Sequence, residues 1–94
     1  MKRIPTLCPS CDAVMHVRQI RCGGCDTEIV GDYAFPLITR LNEADQDFIV
    51  RFMLASGSLK EMASQLGVSY PTVRNRLDDI ITRIRTLQED TRDE

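Results

Sequence analysis

Four cysteines near the start of this 94-residue chain constrain its fold more than any other feature. They form two Cys-x-x-Cys pairs separated by ten residues, Cys8 with Cys11 and Cys22 with Cys25. Two such pairs are typical of a four-thiolate zinc site, although this gap is shorter than the commonest one. Four protein ligands leave no coordination position for water or substrate. The spacing therefore predicts one structural zinc ion and not a catalytic one.

The residues inside and after the pairs favour tight turns. Pro9-Ser10 and Gly23-Gly24 occupy the two x-x positions, and both dipeptides adopt turns at low steric cost. An aspartate follows each pair, at Asp12 and Asp26, where the chain often needs a positive φ that Asp tolerates better than most residues. Each pair is therefore expected to form a knuckle around its two sulfurs.

The segments beside the knuckles have the composition of short strands. Residues 13–21 alternate loosely, and residues 27–30 are β-prone up to Gly31, which we expect to end the strand. Short strands beside two knuckles predict a zinc ribbon over residues 1–35. A module of about 30 residues buries too little surface to fold unaided. Metal binding is therefore expected to be its main source of stability.

Other uses of the cysteines stay open from sequence alone. Two disulfides would need an oxidising compartment, but the N-terminus reaches Cys8 without the apolar region of a secretory signal. A thioredoxin-like redox pair needs a single Cys-x-x-Cys beside a βαβ pattern. Spacing does not distinguish zinc from iron in a four-thiolate site. His16, the single histidine, is expected to be a partly exposed strand residue and not a ligand or general base.

The apolar spacing becomes helical after an apolar connector over residues 36–41. Asn42 is the predicted N-cap of a first helix, which has acidic residues in its first turn and ends at Ser56-Gly57. Ser58, followed three residues later by a glutamate, predicts a capping box and a second helix. Gly67 lies where a glycine commonly terminates such a helix.

A third helix is predicted from about Tyr70 to residue 87 or 88. Ser69 is its expected N-cap and Pro71 lies in its first turn. Its apolar stripe comprises Val73, Leu77, Ile80, Ile81, Ile84 and Leu87. Residues 89–94 are mostly acidic and are expected to form a disordered tail. The predicted fold class is thus a small α+β protein, a zinc ribbon followed by a three-helix domain over residues 42–88.

The second and third helices are spaced as in a helix-turn-helix. They are joined across residues 67–69, with the small Ala63 allowing close approach and Val73 filling the angle between them. In such a motif the second helix enters the major groove through its N-terminal residues. Arginine reads guanine, asparagine reads adenine, and hydroxyls and lysines contact phosphates. The predicted DNA-contacting residues are Lys60, Ser69, Tyr70, Thr72, Arg74, Asn75 and Arg76.

Charge limits the partners of this chain. A net charge of −2 argues against a generic coat for nucleic acid or anionic membranes, and no stretch is apolar enough to span a bilayer. Residues 36–87 hold seven basic and six acidic groups, so a monomer would release few counterions on DNA. A homodimer would double the contacts. The third helix offers a seam of about two heptads, but its flanking arginines, including Arg83, lack acidic partners.

The chain resembles a bacterial family known only as a domain of unknown function. The similarity lies in Cys8-Pro9-Ser10-Cys11, Cys22-Gly23-Gly24-Cys25, Gly31-Asp32-Tyr33, residues 59–63 and residues 66–78. Members combine a four-cysteine zinc ribbon with a helix-turn-helix similar to that of sigma-factor region 4 and the LuxR-type regulators. The resemblance implies a bacterial cytoplasmic protein with a role in transcription, and it supplies no target.

Two functions follow as hypotheses. The first is a regulator that binds double-stranded DNA through the helix beginning near Tyr70. The second is a protein-binding adaptor of the transcription machinery, which the acidic balance and the adjacent Asp78 and Asp79 favour. An enzyme is not expected, because the sequence has no glycine-rich phosphate loop, open metal position or nucleophile–base arrangement.

Overall fold

The computed structural model describes residues 4–92, which form two compact units that divide between Arg40 and Leu41. The first unit contains two strands and a short 3-10 helix, and the second contains three α-helices. In chain order the elements are β1 (Val17–Arg21), β2 (Glu28–Tyr33), the 3-10 helix (Leu37–Arg40), α1 (Glu43–Leu54), α2 (Leu59–Leu66) and α3 (Tyr70–Arg92). This is the predicted small α+β fold, with the 3-10 helix in the segment expected to be a connector.

Two successive antiparallel hairpins make up most of the first unit. In the first hairpin, Leu7 forms an isolated bridge with Val14. In the second hairpin, β1 and β2 pair antiparallel, with a register irregularity between Val17 and Gln19. Each hairpin carries one cysteine pair at its turn, so the backbone has the organisation expected of a ribbon with two knuckles.

The strand β2 does not end at Gly31, as the sequence suggested, but continues to Tyr33. The strand continues because Tyr33 pairs with Val17 of β1. A Cβ atom on residue 31 would lie 2.6 Å from Cε2 of the Tyr33 ring, so glycine leaves room for the ring two residues along the strand. Between them, the Asp32 carboxylate accepts a hydrogen bond from the His16 ring, with 2.8 Å between Oδ1 and Nδ1. The side chains of both partners are largely exposed.

The first unit has almost no apolar interior. None of its described residues, 4–40, is buried. The cross-strand pair Ile20 and Ile29 is about half exposed, at 51% and 50%. Because apolar burial is the dominant force holding small domains together, these strands need another source of stability.

Side-chain caps define the first two helices of the second unit as predicted. The Asn42 side chain accepts from the backbone N–H of Asp45 at 2.8 Å, and the Ser58 hydroxyl accepts from the N–H of Glu61 at 3.1 Å. The reciprocal half of the expected capping box is replaced, because the Glu61 carboxylate accepts from the Gln65 amide at 3.3 Å. One local hydrogen bond is therefore sufficient to start α2.

A left-handed glycine terminates α2, as expected. Gly67 has φ +68°, and its N–H donates to the carbonyl of Ser64 while that of Val68 donates to the carbonyl of Ala63. This pair of bonds is a Schellman motif. A Cβ at Gly67 would meet no heavy atom within 4 Å, so backbone conformation and not space favours glycine here.

One hydrophobic core lies between the three helices. Its buried members are Leu41, Phe48, Ala55, Leu59, Met62, Ala63, Val73 and Ile80. The partly buried residues that pack against it are Ile49, Phe52, Leu77, Ile84 and Leu87. All five residues of the predicted dimer seam (positions 73, 77, 80, 84 and 87) thus contact the core of their own chain.

The helix α3 is longer than predicted. It extends to Arg92, so residues 89–92 are helical and the expected disordered tail is corrected for these four positions. Gln88 and Glu89 favour helix, which fits the extension. Asp93 and Glu94 lie outside the described residues. Across the part of the chain that the structure describes, no helix combines the length and apolar character needed to cross a membrane.

Candidate metal centre and nucleic-acid interface

The first cysteine pair lies on a tight turn closed by backbone hydrogen bonds. The N–H of Cys8 donates to the carbonyl of Ala13 at 2.8 Å, and the N–H of Asp12 donates back to the carbonyl of Cys8 at 2.9 Å. The N–H of Ser10 points at Sγ of Cys8, 3.4 Å away. Asp12 adopts the predicted positive φ, 60°. This turn has the form of a cysteine knuckle.

The second pair repeats this arrangement. The N–H of Cys22 donates to the carbonyl of Thr27 at 2.8 Å, and the N–H of Gly24 lies 3.3 Å from Sγ of Cys22. Sγ of Cys25 lies 3.1 Å from the Thr27 hydroxyl. Asp26 does not adopt the positive φ that the sequence suggested. Both knuckles therefore have hydrogen bonds to sulfur, but only the first has a residue with positive φ.

Hydrogen bonds favour the metal-binding form of two thiols. The N–H of Ser10 lowers the pKa of Cys8, with a smaller contribution from Cys11. The hydroxyl of Thr27 lowers the pKa of Cys25, with smaller contributions from the Thr27 backbone and from Cys22. Because metals bind thiolates, these contacts prepare one sulfur of each pair for coordination.

The structure brings the cysteines together within each pair but does not join the pairs. Among residues 4–92, no three His, Cys, Asp or Glu side chains converge closely enough to hold a metal ion. All four cysteines are free thiols. Sulfur donors in two turns with N–H groups directed at sulfur fit zinc chemically. Coordination of one ion by Cys8, Cys11, Cys22 and Cys25 would require the two knuckles to approach each other.

The start of α3 presents polar side chains to solvent. The Ser69 hydroxyl accepts from the N–H of Thr72 at 3.3 Å and lies 2.8 Å from its hydroxyl, so Ser69 is the predicted N-cap. Tyr70 is exposed, as is Asn75 one turn further. Lys60 is exposed in the first turn of α2. These predicted DNA-contacting residues are therefore accessible to solvent, and their contact with DNA stays a prediction.

Acidic side chains share this surface. The guanidinium of Arg74 lies 3.4 Å from the carboxylate of Asp78, one turn along α3. Both side chains are about half exposed, and Asp79 beside them is exposed as well. Arg74, the first of the predicted base-reading arginines, is thus held in an exposed ion pair of small energetic value.

Arg76, also predicted to contact DNA, is exposed and contacts another helix. Its guanidinium carbon lies 5.6 Å from the ring centroid of Phe48 on α1, a cation–π contact. It lines a groove there together with Arg51 of α1. The aromatic ring of α1 attracts this side chain, and a pattern confined to α3 could not reveal that ring.

The sequence also gave no indication of the strongest polar contact in the second unit. The Asp45 carboxylate is 2% exposed and accepts two hydrogen bonds from Arg83, at 2.5 Å from Nε and 2.8 Å from Nη2. This bidentate bond raises the pKa of Arg83. Asp45 at the third position of a capped helix was explained locally by the helix dipole. No local signal linked it to α3.

Comparison with known protein families divides the chain where the structure does. The family model described as "DUF2089 zinc ribbon" matches residues 8–39. The model described as "Domain of unknown function (DUF2089)-HTH" matches residues 41–86. No curated protein and no solved structure shows significant similarity to the chain. The two matches together cover most of the sequence, with a boundary at the end of the 3-10 helix.

Proposed function

The chain belongs to the DUF2089 family, which joins a zinc ribbon to a helix-turn-helix, and we propose that it is a DNA-binding transcription regulator of the bacterial cytoplasm. The observation that carries the proposal is the construction of the α2–α3 pair. A left-handed Gly67 ends α2, and three residues later α3 begins with an exposed, capped first turn. This geometry supports insertion of the start of α3 into the major groove.

Base recognition would depend on few side chains. Asn75 is exposed and has the donor and acceptor that read adenine in the major groove. Arg74 can exchange its exposed partner Asp78 for guanine or for a phosphate, because such exposed pairs contribute little. Thr72 and the N–H groups of the first turn suit phosphate contacts. Arg76 would have to leave the ring of Phe48 to take part.

Electrostatics support selective and not general DNA binding. Asp78 and Asp79 are exposed one helical turn after Arg74 and Asn75 and would repel the phosphate backbone. Arg83 is committed to Asp45. With so few available cations, the sequence-independent part of the affinity would be small, and a good site would need direct base contacts or two copies of the chain.

The zinc would be structural. Four cysteines would hold one ion, and that ion would stabilise a unit in which no described side chain is buried. The ion would make no contact with DNA and take part in no chemical step. The chain would have no enzymatic activity. The effect of the ion on DNA binding would be indirect, through the fold of residues 1–40.

Selection from a random duplex pool tests the proposal. Zinc-loaded full-length protein would be used at two salt concentrations, with the double variant Arg74→Ala/Asn75→Ala and the control Arg85→Ala, which removes an exposed arginine further along α3. We expect an enriched motif that the double variant loses and the control keeps. Enrichment without a motif that disappears at the higher salt would contradict sequence-specific regulation.

A second function, an adaptor of the transcription machinery, is supported by exposed apolar surface on α1. Val50, Met53 and Leu54 lie at helical spacing and are 58%, 70% and 81% exposed. Contiguous apolar surface of this kind commonly marks protein contacts. Purified bacterial RNA polymerase would be the binding partner to test, with Met53→Gln/Leu54→Gln as the variant. Polymerase binding that the variant abolishes, in a protein that selects no DNA motif, would favour the adaptor.

A further inference from the structure

A groove between α1 and the helix-turn-helix has a composition that the proposed DNA contacts do not explain. Its volume is about 320 Å³, at the small end of the range for ligand sites. Phe48 and Leu66 provide its apolar wall, and Ala44 leaves space beside them. Phe48 is held in place because its ring stacks on that of Phe52, with 6.4 Å between the centroids. The wall of the groove is therefore preformed.

Three charged side chains surround this apolar wall. Arg51 and Asp47 come from α1 and Arg76 from α3. Within residues 4–92, none of the three forms an ion pair with another side chain, and the contact of Arg76 is with the Phe48 ring alone. Elsewhere in the same unit, Arg74 and Arg83 are each paired with a carboxylate. Two arginines that form no ion pair among the described residues thus line one small groove, and Asp47 lines it with them.

We propose that this groove binds a small planar aromatic carboxylate that carries a hydroxyl or amino group. The two guanidinium groups of Arg51 and Arg76 would hold the carboxylate, since the planar donor fork of arginine matches its geometry. The ring would lie against Leu66, which is 38% exposed, and would reach only the small exposed part of Phe48, which is 4% exposed beneath Arg76. Asp47 would accept a hydrogen bond from the ring substituent. Asp47 also disfavours a dianion, so a single negative charge is preferred.

Titration of the zinc-loaded full-length chain with 4-hydroxybenzoate, in the absence of DNA, tests the site. Amide chemical shifts in α1 and α3 would be followed, with inorganic phosphate as a second probe. We expect saturable binding by 4-hydroxybenzoate and about tenfold weaker binding by Arg76→Gln. Ala44→Leu should prevent binding, because the larger side chain fills the groove while both arginines are retained. The matched control Arg85→Gln, also an exposed arginine of α3, should bind like the parent protein.

Several results would overturn this assignment. Absence of saturable shifts up to about 10 mM would do so, since even a weak site is filled there. If inorganic phosphate binds as tightly as 4-hydroxybenzoate, the aromatic wall plays no part in binding. If Arg85→Gln weakens binding as much as Arg76→Gln does, the effect is one of general charge. Dispersed spectra establish that each variant is folded, and Arg76→Gln tests the site if Ala44→Leu does not fold. Because DNA is absent, the result is independent of whether the chain regulates transcription.

Discussion

Asp45 at the start of α1 and Arg83 in the second half of α3 form a bidentate ion pair between elements 38 residues apart in sequence. The carboxylate is buried, whereas the arginine side chain is 45% exposed. The Asp45 N–H is in turn capped by Asn42. The cap of the first helix and the orientation of the third are therefore linked through one residue.

Arg83→Gln is expected to destabilise residues 41–92 by about 2–4 kcal/mol, because it leaves the buried Asp45 carboxylate without its cation. Solvent access to the arginine places the expected loss at the lower part of that range. Chemical denaturation followed by circular dichroism measures the change. Arg85→Gln, an exposed position with no such partner, should alter the stability by less than about 0.5 kcal/mol. Equal losses in the two variants would show that the ion pair contributes nothing specific.

Gly31→Ala should weaken zinc binding to the ribbon by about fivefold, as expected for moderate overpacking of about 1 kcal/mol. The added Cβ would lie 2.6 Å from the Tyr33 ring, which must then move. Competition with a chromophoric chelator measures the affinity. Gly23→Ala is the control, because a Cβ there meets no atom within 4 Å. Tyr33→Leu should restore the affinity of Gly31→Ala. If it does not, the ring is not the cause.

Cys22→Ser is expected to abolish zinc binding and the structure of residues 4–40 while the capped helices of the second unit keep most of their helicity. The reason is that the buried hydrophobic core lies entirely in the second unit. Metal content and far-ultraviolet circular dichroism together measure both effects. Gly23→Ala is the control, since the added Cβ lies beside Cys22 in the chain and meets no atom within 4 Å. One cooperative loss of all structure on chelation would contradict the independence of the two units.

Asp78→Asn should strengthen DNA binding and make it more sensitive to salt, because it releases Arg74 from its ion pair. One additional phosphate contact steepens the slope of log Kobs against log salt by about 0.9. Binding isotherms on one duplex at several salt concentrations give this slope. Asp79→Asn removes a negative charge without releasing Arg74 and should leave the slope nearer to that of the parent protein. Identical slopes for all three proteins would show that the ion pair with Asp78 does not hold Arg74 away from a phosphate.

The sequence predicted those features that depend on neighbouring residues. Asn42 and Ser58 cap helices through bonds that reach three residues forward, and Gly67 terminates α2 by its own backbone preference. Such signals lie within one turn of the chain. The knuckles at the two cysteine pairs belong to the same class, since their closing hydrogen bonds span five residues.

Features that depend on distant residues could not be read in this way. Arg76 and Arg83 looked equivalent on a helical projection of α3, but one contacts an aromatic ring of α1 and the other a buried carboxylate. Gly31 looked like the end of a strand, but β2 continues past it because Tyr33 pairs with Val17 of β1. Local patterns specify where an element starts and stops. They do not specify which element a long side chain will meet.

The length of α3 sets a gradient of local opening along the helix. Twenty-three residues at about 1.5 Å per residue give a rod of about 34 Å. Its fully buried residues, Val73 and Ile80, both lie in the first half. We expect amide hydrogens near these two residues to exchange with solvent through unfolding of the whole unit, and those toward Arg92 to exchange faster through fraying of the helix end. The N-terminal end of α3, which would contact DNA, is thus expected to be the more rigid end, and the C-terminal end is expected to open first.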